Sequence, residues 1–359
     1  MAKKKYRRGR RKKGNWFTRM SFVKKLLLVF VVALLMMVGV GAGYVGNKLS
    51  KLDTQELDPE SLSITVEAQE AAEGYTNVAL FGVDSREGEL DKGTRTDCII
   101  VASLNNETKE IKMLSVYRDT VLDIKDGELQ KCNAAYAFGG PEQAINMLNK
   151  NLDLDIEKYI TVDFGVVSEV VDLLGGVEID IKEEEIEYIN YYMDETGDVA
   201  GKKAHHLTEP GLQNLDGVQA TTYARIRSTA GGDFTRTERQ RLVIEKMAEK
   251  LGKSNIKTIN KIIDKVFPMV STNFSAAEVL GYGKDFAKYR LVESQGFPFD
   301  KTTDTIAGLG SVVIPVTLES NVEDMHHLLY EDEEYSVSPT VQDINRSIVG
   351  KVGQRTAVE

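Results

Sequence analysis

Residues 94–120 read TRTDCIIVASLNNETKEIKMLSVYRDT. Two apolar runs, CIIVASLN and EIKMLSV, flank a short polar turn at Asn105-Asn106, which reads as a β-hairpin. Upstream, NVALFGVD (77–84) is a third short apolar run ending in Gly and Asp, as a buried strand does. Downstream, apolar residues recur at helical spacing over 141–152, 166–174 and 235–253. Gly175-Gly176 closes the second of these, and VEIDI (177–181) follows as a strand. Alternating strands and helices predict a layered α/β domain with a mixed central sheet. Residues 183–215, with Glu183, Glu184, Glu185 and the His205-His206 pair, are less regular and read as an insertion or cap. Residues 266–289 read as helical after Pro268, 311–317 as a late strand, and 322–329 and 340–349 as two closing helices. Adjacent histidines diverge on either a strand or a helix, so neither His205-His206 nor His326-His327 makes a shared metal site.

The chain has 359 residues and a net charge of −10, with 42% apolar and 28% charged residues, which excludes a wholly disordered protein. The charge is uneven: residues 1–25 hold twelve bases and no acid, and the remainder holds 33 bases against 55 acids, or −22. LLLVFVVALLMMVGVGAGYV (26–45) is free of charge and at about 1.5 Å per residue spans a bilayer core. The bases on its N-terminal side place the tail in the cytoplasm and the bulk of the chain outside. A cleaved signal peptide has a shorter apolar region than this. Read this way, 1–25 is a basic cytoplasmic tail, 26–46 a transmembrane helix and 47–75 an extracellular stalk. A tail ending directly at a membrane span is a topology signal that also holds anionic lipid, rather than a nucleic-acid-binding unit. Two cysteines, Cys98 and Cys132, exclude a disulfide framework and a four-cysteine zinc site. They are read as buried thiols, with one disulfide between them left open.

Charges cluster where the apolar runs end. Asp84 and Arg86 close the first run, Arg95 and Asp97 open the second, and Arg118 and Asp119 close the third. Strand ends in α/β sheets converge on one edge, where ligands bind. In YARIRSTAGGDFTRTERQR (223–241), Arg225 and Arg227 sit two apart on what reads as a strand, so they share a side. Asp233, Arg236 and Gln240 are three and four apart at the start of the following helix, with Arg239 about 60° off that stripe. Guanidinium forks grip phosphate oxygens in pairs, and carboxylates suit Mg²⁺. The set therefore suits a pyrophosphate held by arginines and a metal, although surface salt bridges have the same composition. There is no P-loop or GxSxG, and the four histidines lie in the cap or near the C-terminus, which leaves no Ser-His-Asp candidate.

The stretches FGVDSR (81–86), TRTDCIIVASL (94–104), SVYRDT (115–120), KCNAAYAFGG (131–140), YITVDFGVVSEVVDLLGGVEI (159–179) and GLQNLDGVQATTYARIRSTAGGDFTRTERQR (211–241) occur in this order. Together they resemble the LytR-CpsA-Psr proteins of Gram-positive cell envelopes, and the basic tail and single span agree with that architecture. The resemblance covers residues 76–350 and implies that they form an α-β-α layered catalytic domain enclosing an apolar slot for a prenyl chain, with 351–359 a C-terminal tail. It implies a phosphotransferase that moves a glycopolymer, such as teichoic acid or capsular polysaccharide, from undecaprenyl pyrophosphate to a peptidoglycan hydroxyl, forming a phosphodiester. On the matching positions, Asp84 and Asp97 would bind Mg²⁺ or Mn²⁺. Arg86, Arg95, Arg118, Arg225, Arg227, Arg236 and Gln240 would bind the pyrophosphate, with Asp233 beside them. Arg118, Asp119 and Asp233 are the catalytic candidates, either aspartate as the base. Val166, Val167, Val170 and Val171 would line the slot, or else are ordinary core. One departure stands out: Tyr117 occupies a place where the family commonly has proline. A polyprenyl-pyrophosphate hydrolase, a membrane-bound transcriptional regulator and a non-catalytic carrier are the competing readings. Twenty-five residues supply no folded DNA-binding unit, and a carrier needs no metal carboxylates.

Overall fold

The computed structural model describes residues 53–83, 90, 93–227, 229, 231–284 and 288–356. The tail 1–25, the apolar segment 26–46, and Asp84 and Arg86 lie outside the described residues. No described helix is long and apolar enough to cross a membrane.

The described chain enters through β1 (Asp53–Thr54) and α1 (Val66–Ala71). Three long strands follow: β2 (Tyr75–Val83), β3 (Thr96–Asn105) and β4 (Glu110–Val116). The small hairpin β5 (Val121–Lys125) and β6 (Glu128–Lys131) leads into α2 (Ala134–Leu152). Next come β7 (Lys158–Asp163), α3 (Phe164–Leu173), β8 (Val177–Ile181), α4 (Glu183–Ala200), β9 (Gly211–Leu215) and α5 (Gly217–Tyr223). Then α6 (Gly232–Leu251), α7 (Ile256–Val266), β10 (Val270–Thr272), α8 (Ala276–Lys284) and β11 (Arg290–Phe297) follow. The hairpin β12 (Lys301–Ile306) and β13 (Gly310–Pro315) precedes α9 (Leu318–Tyr330) and α10 (Pro339–Val352).

The central sheet runs β1-β10-β7-β2-β3-β4-β11. It is mixed: β2 is antiparallel to β3 and β3 to β4, whereas β7 is parallel to β2 and β11 to β4. The expected hairpin is present, with Leu104 opposite Ile111 and Ala102 opposite Met113. Because successive side chains on a strand point to opposite faces, each long strand feeds two cores. Val78, Ile100, Ala102 and Met113 pack under α3–α7. Ala79, Phe81, Val101 and Leu114 pack against α2, α9 and α10. The result is three layers, α-β-α.

Four segments differ from the sequence expectation. The stalk expected over 47–75 is part of the domain from Asp53 on: β1 pairs with β10, and Leu62, Ala68 and Ala72 are buried. The cap at 183–215 is an ordered helix and strand, α4 starting where the Lys182 N–H donates to the Glu185 carboxylate (2.9 Å) and β9 pairing with β8. The helix expected after Pro268 is interrupted: a short turn at Phe267–Met269 gives way to β10, whose β-branched residues fill a sheet position, before α8 begins. Arg225 and Arg227 are on no strand. Here α5 ends and the Arg225 N–H closes a turn on the Thr222 carbonyl (2.9 Å). The two-residue alternation of Tyr223, Arg225 and Arg227 imitates a strand in a segment with no neighbour to pair with.

Candidate functional site

The polar site forms where β3, the end of β4, the segment after α5 and the first turns of α6 meet. Asp97 stands at the start of β3, its carboxylate bonded to the Arg118 guanidinium. Arg227 Nη2 lies 3.2 Å from its other oxygen and Arg236 Nη1 3.6 Å. Asp233 faces the same three arginines: Arg236 Nη2 at 2.8 Å, Arg118 Nε at 3.3 Å and Arg227 Nε at 3.8 Å. Gln240, two turns along α6, donates to the Asp97 carbonyl (3.4 Å), and Arg236 Nη2 does the same at 3.3 Å. The helical spacing read from the sequence thus delivers Asp233, Arg236 and Gln240 to one place.

Burial controls the electrostatics. Removal from water pushes the Asp97 carboxyl upward, but the charges of Arg118, Arg236 and Arg227 outweigh this and hold it below the usual carboxylate range. The Arg236 side chain is 1% exposed, and burial lowers its guanidinium pKa to about 10 even with Asp233 beside it. Three arginines face two aspartates, which leaves positive charge in excess. Several atoms of these ion-paired groups make no aligned hydrogen bond: Arg118 Nε, Arg236 Nε and Nη1, and both Asp233 carboxylate oxygens. Unsatisfied guanidinium donors in a protein interior are costly unless an anion arrives to accept from them.

The turn carrying Arg118 and Asp119 is fixed from behind. Asn133 N–H donates to the Arg118 carbonyl (3.1 Å), Cys132 N–H to that of Thr120 (2.8 Å), and Cys132 Sγ lies 3.3 Å from the carbonyls of Tyr117 and Arg118. Tyr117 N–H donates to the Phe297 carbonyl (2.9 Å), a bond proline could not make. The Tyr117 ring lies edge-on to Phe234, and its hydroxyl fills the space beside Gly296 where a Cβ would come within 2.2 Å. Cys98 and Cys132 are both free thiols. Burial pushes the Cys98 thiol up to about 12 and that of Cys132 higher still, so both are neutral.

Directly beneath the polar site is an apolar cavity of about 80 Å³, between the sheet and α3, α5 and α6. Gln240 belongs to both, since it lines the cavity and touches Asp97. Of the four valines expected along the slot, Val167 lines it, whereas Val166, Val170 and Val171 are buried core. Cys98, Phe164 and Met247 are among the other lining residues.

The remaining candidates divide. Asp119 sits at the edge of the cluster, 3.1 Å from Lys131 Nζ and 3.8 Å from Arg118 Nε. Arg95 is exposed at the start of β3, without an ion pair to a described residue. Arg225 turns elsewhere, donating to Thr196 (3.0 Å) and stacking on Phe164, with its guanidinium carbon 4.9 Å from the ring centre. The sequence reading missed Lys131, for which KCN offers no signal, and the role of Arg239. Arg239 is buried off the stripe, bonds Glu185 twice (2.8 and 3.0 Å) and reaches the Ile226 carbonyl, so it ties the Arg227 segment to α4. Among the described residues no cluster of three or more His, Cys, Asp or Glu forms a metal site.

Comparison with known proteins agrees with this architecture. Polyisoprenyl-teichoic acid–peptidoglycan teichoic acid transferase TagV of Bacillus subtilis (strain 168) is 30% identical over 303 residues, covering 81% of this chain and 72% of the relative. A TagU transferase of the same description from Enterococcus faecalis (strain ATCC 700802 / V583) is 31% identical over 62% of this chain and 71% of its own length. The crystal structure of B. subtilis TagV superposes with a TM-score of 0.56 at 25% identity, covering 73% of this chain and 98% of that one. The LytR_cpsA_psr family model matches residues 42–321, and the chain belongs to that family.

Proposed function

We propose that the chain transfers a glycopolymer from an undecaprenyl-pyrophosphate carrier to a hydroxyl of peptidoglycan. The observation that carries this reading is the junction at Gln240: the guanidinium groups of Arg118, Arg227 and Arg236, in excess over Asp97 and Asp233, sit directly above an apolar cavity. A ligand with a pyrophosphate head and a hydrocarbon tail satisfies both at once. The transferase names of the relatives point the same way.

In the reaction, the acceptor hydroxyl oxygen forms a bond to the sugar-linked phosphorus. The bond from that phosphorus to the bridging oxygen breaks, and polyprenyl phosphate leaves with the electron pair. Arg118, Arg227 and Arg236 stabilise charge on the transferring phosphoryl group and on the leaving phosphate; in phosphoryl transfer such positioning and electrostatics supply most of the catalysis. Asp119, at the edge of the arginine cluster, takes the hydroxyl proton. Asp233, enclosed by three arginines, aligns them. The oxygen-only donors suit a hard cation, and Asp97 together with Asp84 would hold Mg²⁺ or Mn²⁺, which when bound neutralises phosphate charge. The reading places residues 1–25 in the cytoplasm, 26–46 across the cell membrane and the domain outside.

The test gives purified full chain in detergent a synthetic polyprenyl-pyrophosphate sugar, Mg²⁺ and peptidoglycan oligomers, with mass spectrometry of the products. A sugar-phosphate-peptidoglycan adduct that is absent with Arg118→Ala and Asp97→Ala supports transfer. Polyprenyl phosphate released equally with and without acceptor replaces it with a hydrolase.

A further inference from the structure

Asp53 lies opposite Ser271 and Thr54 opposite Thr272, where β1 runs parallel to β10 at the sheet edge. β10 is joined to α7 by the turn Phe267–Met269. The end of α7 therefore lies beside the point where the described chain begins, and residues 47–52 alone separate that point from the apolar segment 26–46. Six residues reach about 20 Å at full extension.

α7 is strongly two-sided. Ile259, Ile262, Ile263 and Val266 are buried, whereas Lys257, Lys261 and Lys265 are exposed and recur every four residues, forming one stripe. None of the three forms an ion pair with a described residue, and the stripe stands out on a chain whose residues after 25 carry −22. Asp264, also exposed, is the one acid within α7. The same end of the molecule carries the cavity wall. α7 packs on α3, and a Cβ at Gly165, in the first turn of α3, would lie 3.6 Å from Met269. Its neighbours Phe164 and Val167 line the cavity.

Given the anchored transferase reading above, on which this rests, we propose that α7 lays its lysine stripe on the anionic headgroups of the bilayer that anchors the chain. The contact holds the Phe164–Val167 wall close to the surface from which a prenyl chain is drawn. Short reach from the anchor and opposite charge argue for lipid as the occupant. Each lysine at an anionic surface strengthens attachment about fivefold.

The test reconstitutes the full chain in nanodiscs of phosphatidylcholine alone or mixed with phosphatidylglycerol. Asn260→Cys, on the outward side of α7, carries a fluorophore, and headgroup-labelled lipids serve as quenchers. The parent chain, with Cys98 and Cys132, gives the labelling background. Quenching is expected to be several-fold stronger in the mixed discs, to weaken with salt, and to fall to the phosphatidylcholine level in Lys257→Glu/Lys261→Glu/Lys265→Glu. Equal quenching in both lipids, or quenching unchanged in the triple variant, overturns the proposal. So does a label that ignores lipid but responds to soluble teichoic acid, which assigns the stripe to polymer. Co-purification with discs reads the anchor and product mass reads the transfer, so failure of either is distinguished from loss of the stripe contact.

Discussion

The two faces of the central sheet are built from the same strands and finished differently. On the side of α2, α9 and α10, Leu148, Ile145, Met147 and Leu114 are fully buried, and Asn149 and Asp153 are paired within the core. There Asn149 bonds the Leu62 and Ile156 carbonyls, and Asp153 accepts from Ser338 and Tyr335. On the side of α3, α5 and α6, equally apolar side chains stop short of one another and leave the cavity. Protein interiors are otherwise packed like organic crystals, so an apolar void with the guanidinium cluster at its end is a place prepared for a guest. One face holds the fold together, and the other gives up packing for binding.

That contrast breaks first at Arg118. Arg118→Ala is expected to lower the turnover number by about 10²–10³ with little change in the urea midpoint, since a donor aimed at transition-state charge is worth this much. Arg118→Lys, which keeps the charge and loses the fork, should recover only part of the rate. The next largest effect is on the closed face. Leu148→Ala should cost about 3 kcal/mol of stability by urea unfolding, while the folded fraction retains its specific activity. Filling the open face reverses the pattern: Val167→Trp should change stability by less than about 1 kcal/mol, because space is waiting. It should also raise the KM for a long-chain donor about tenfold or more and leave a short-chain donor nearly unaffected. A closed-face variant that selectively lost long-chain donors would erase the distinction.

The most gradual effect is a pH slope from Asp155, whose carboxyl burial raises to about 6 although Asn77 donates to it at 2.5 Å. A carboxyl raised above its unfolded value binds its proton more tightly when folded. Its contribution is therefore full below the unfolded pKa and lost as pH rises from about 4 through 6, by about 3 kcal/mol at most. Asp155→Asn should flatten that slope. Asp97 has the opposite sign: held below its usual range, it contributes above the unfolded pKa and loses that contribution as pH falls through the folded value.

The sequence was informative where one chemical requirement dominated. Continuous apolar runs located β2, β3 and β4, because strands buried on both faces admit little else. Spacings of three and four placed Asp233, Arg236 and Gln240 together. It was uninformative where the outcome depends on a neighbour. Val166 and Val167 are equivalent in composition, and only the helix packed against each decides that one is core and the other cavity wall. β11 escaped notice because RLVESQGF is an edge strand with a mostly half-exposed, polar pattern. Arg225 was grouped with Arg227 by an alternation that no adjacent strand converts into a shared face.

Tyr117 and Gly296 constrain one another's replacement. A Cβ at 296 would lie within 2.6 Å of the ring carbon bearing the hydroxyl as well as 2.2 Å from the hydroxyl itself, so removing the hydroxyl alone leaves the conflict. The two positions are epistatic: alanine at 296 is accessible only to a lineage in which residue 117 has already become small or turned away. While tyrosine remains, the glycine is locked, and the order in which the two positions can change is written into the packing.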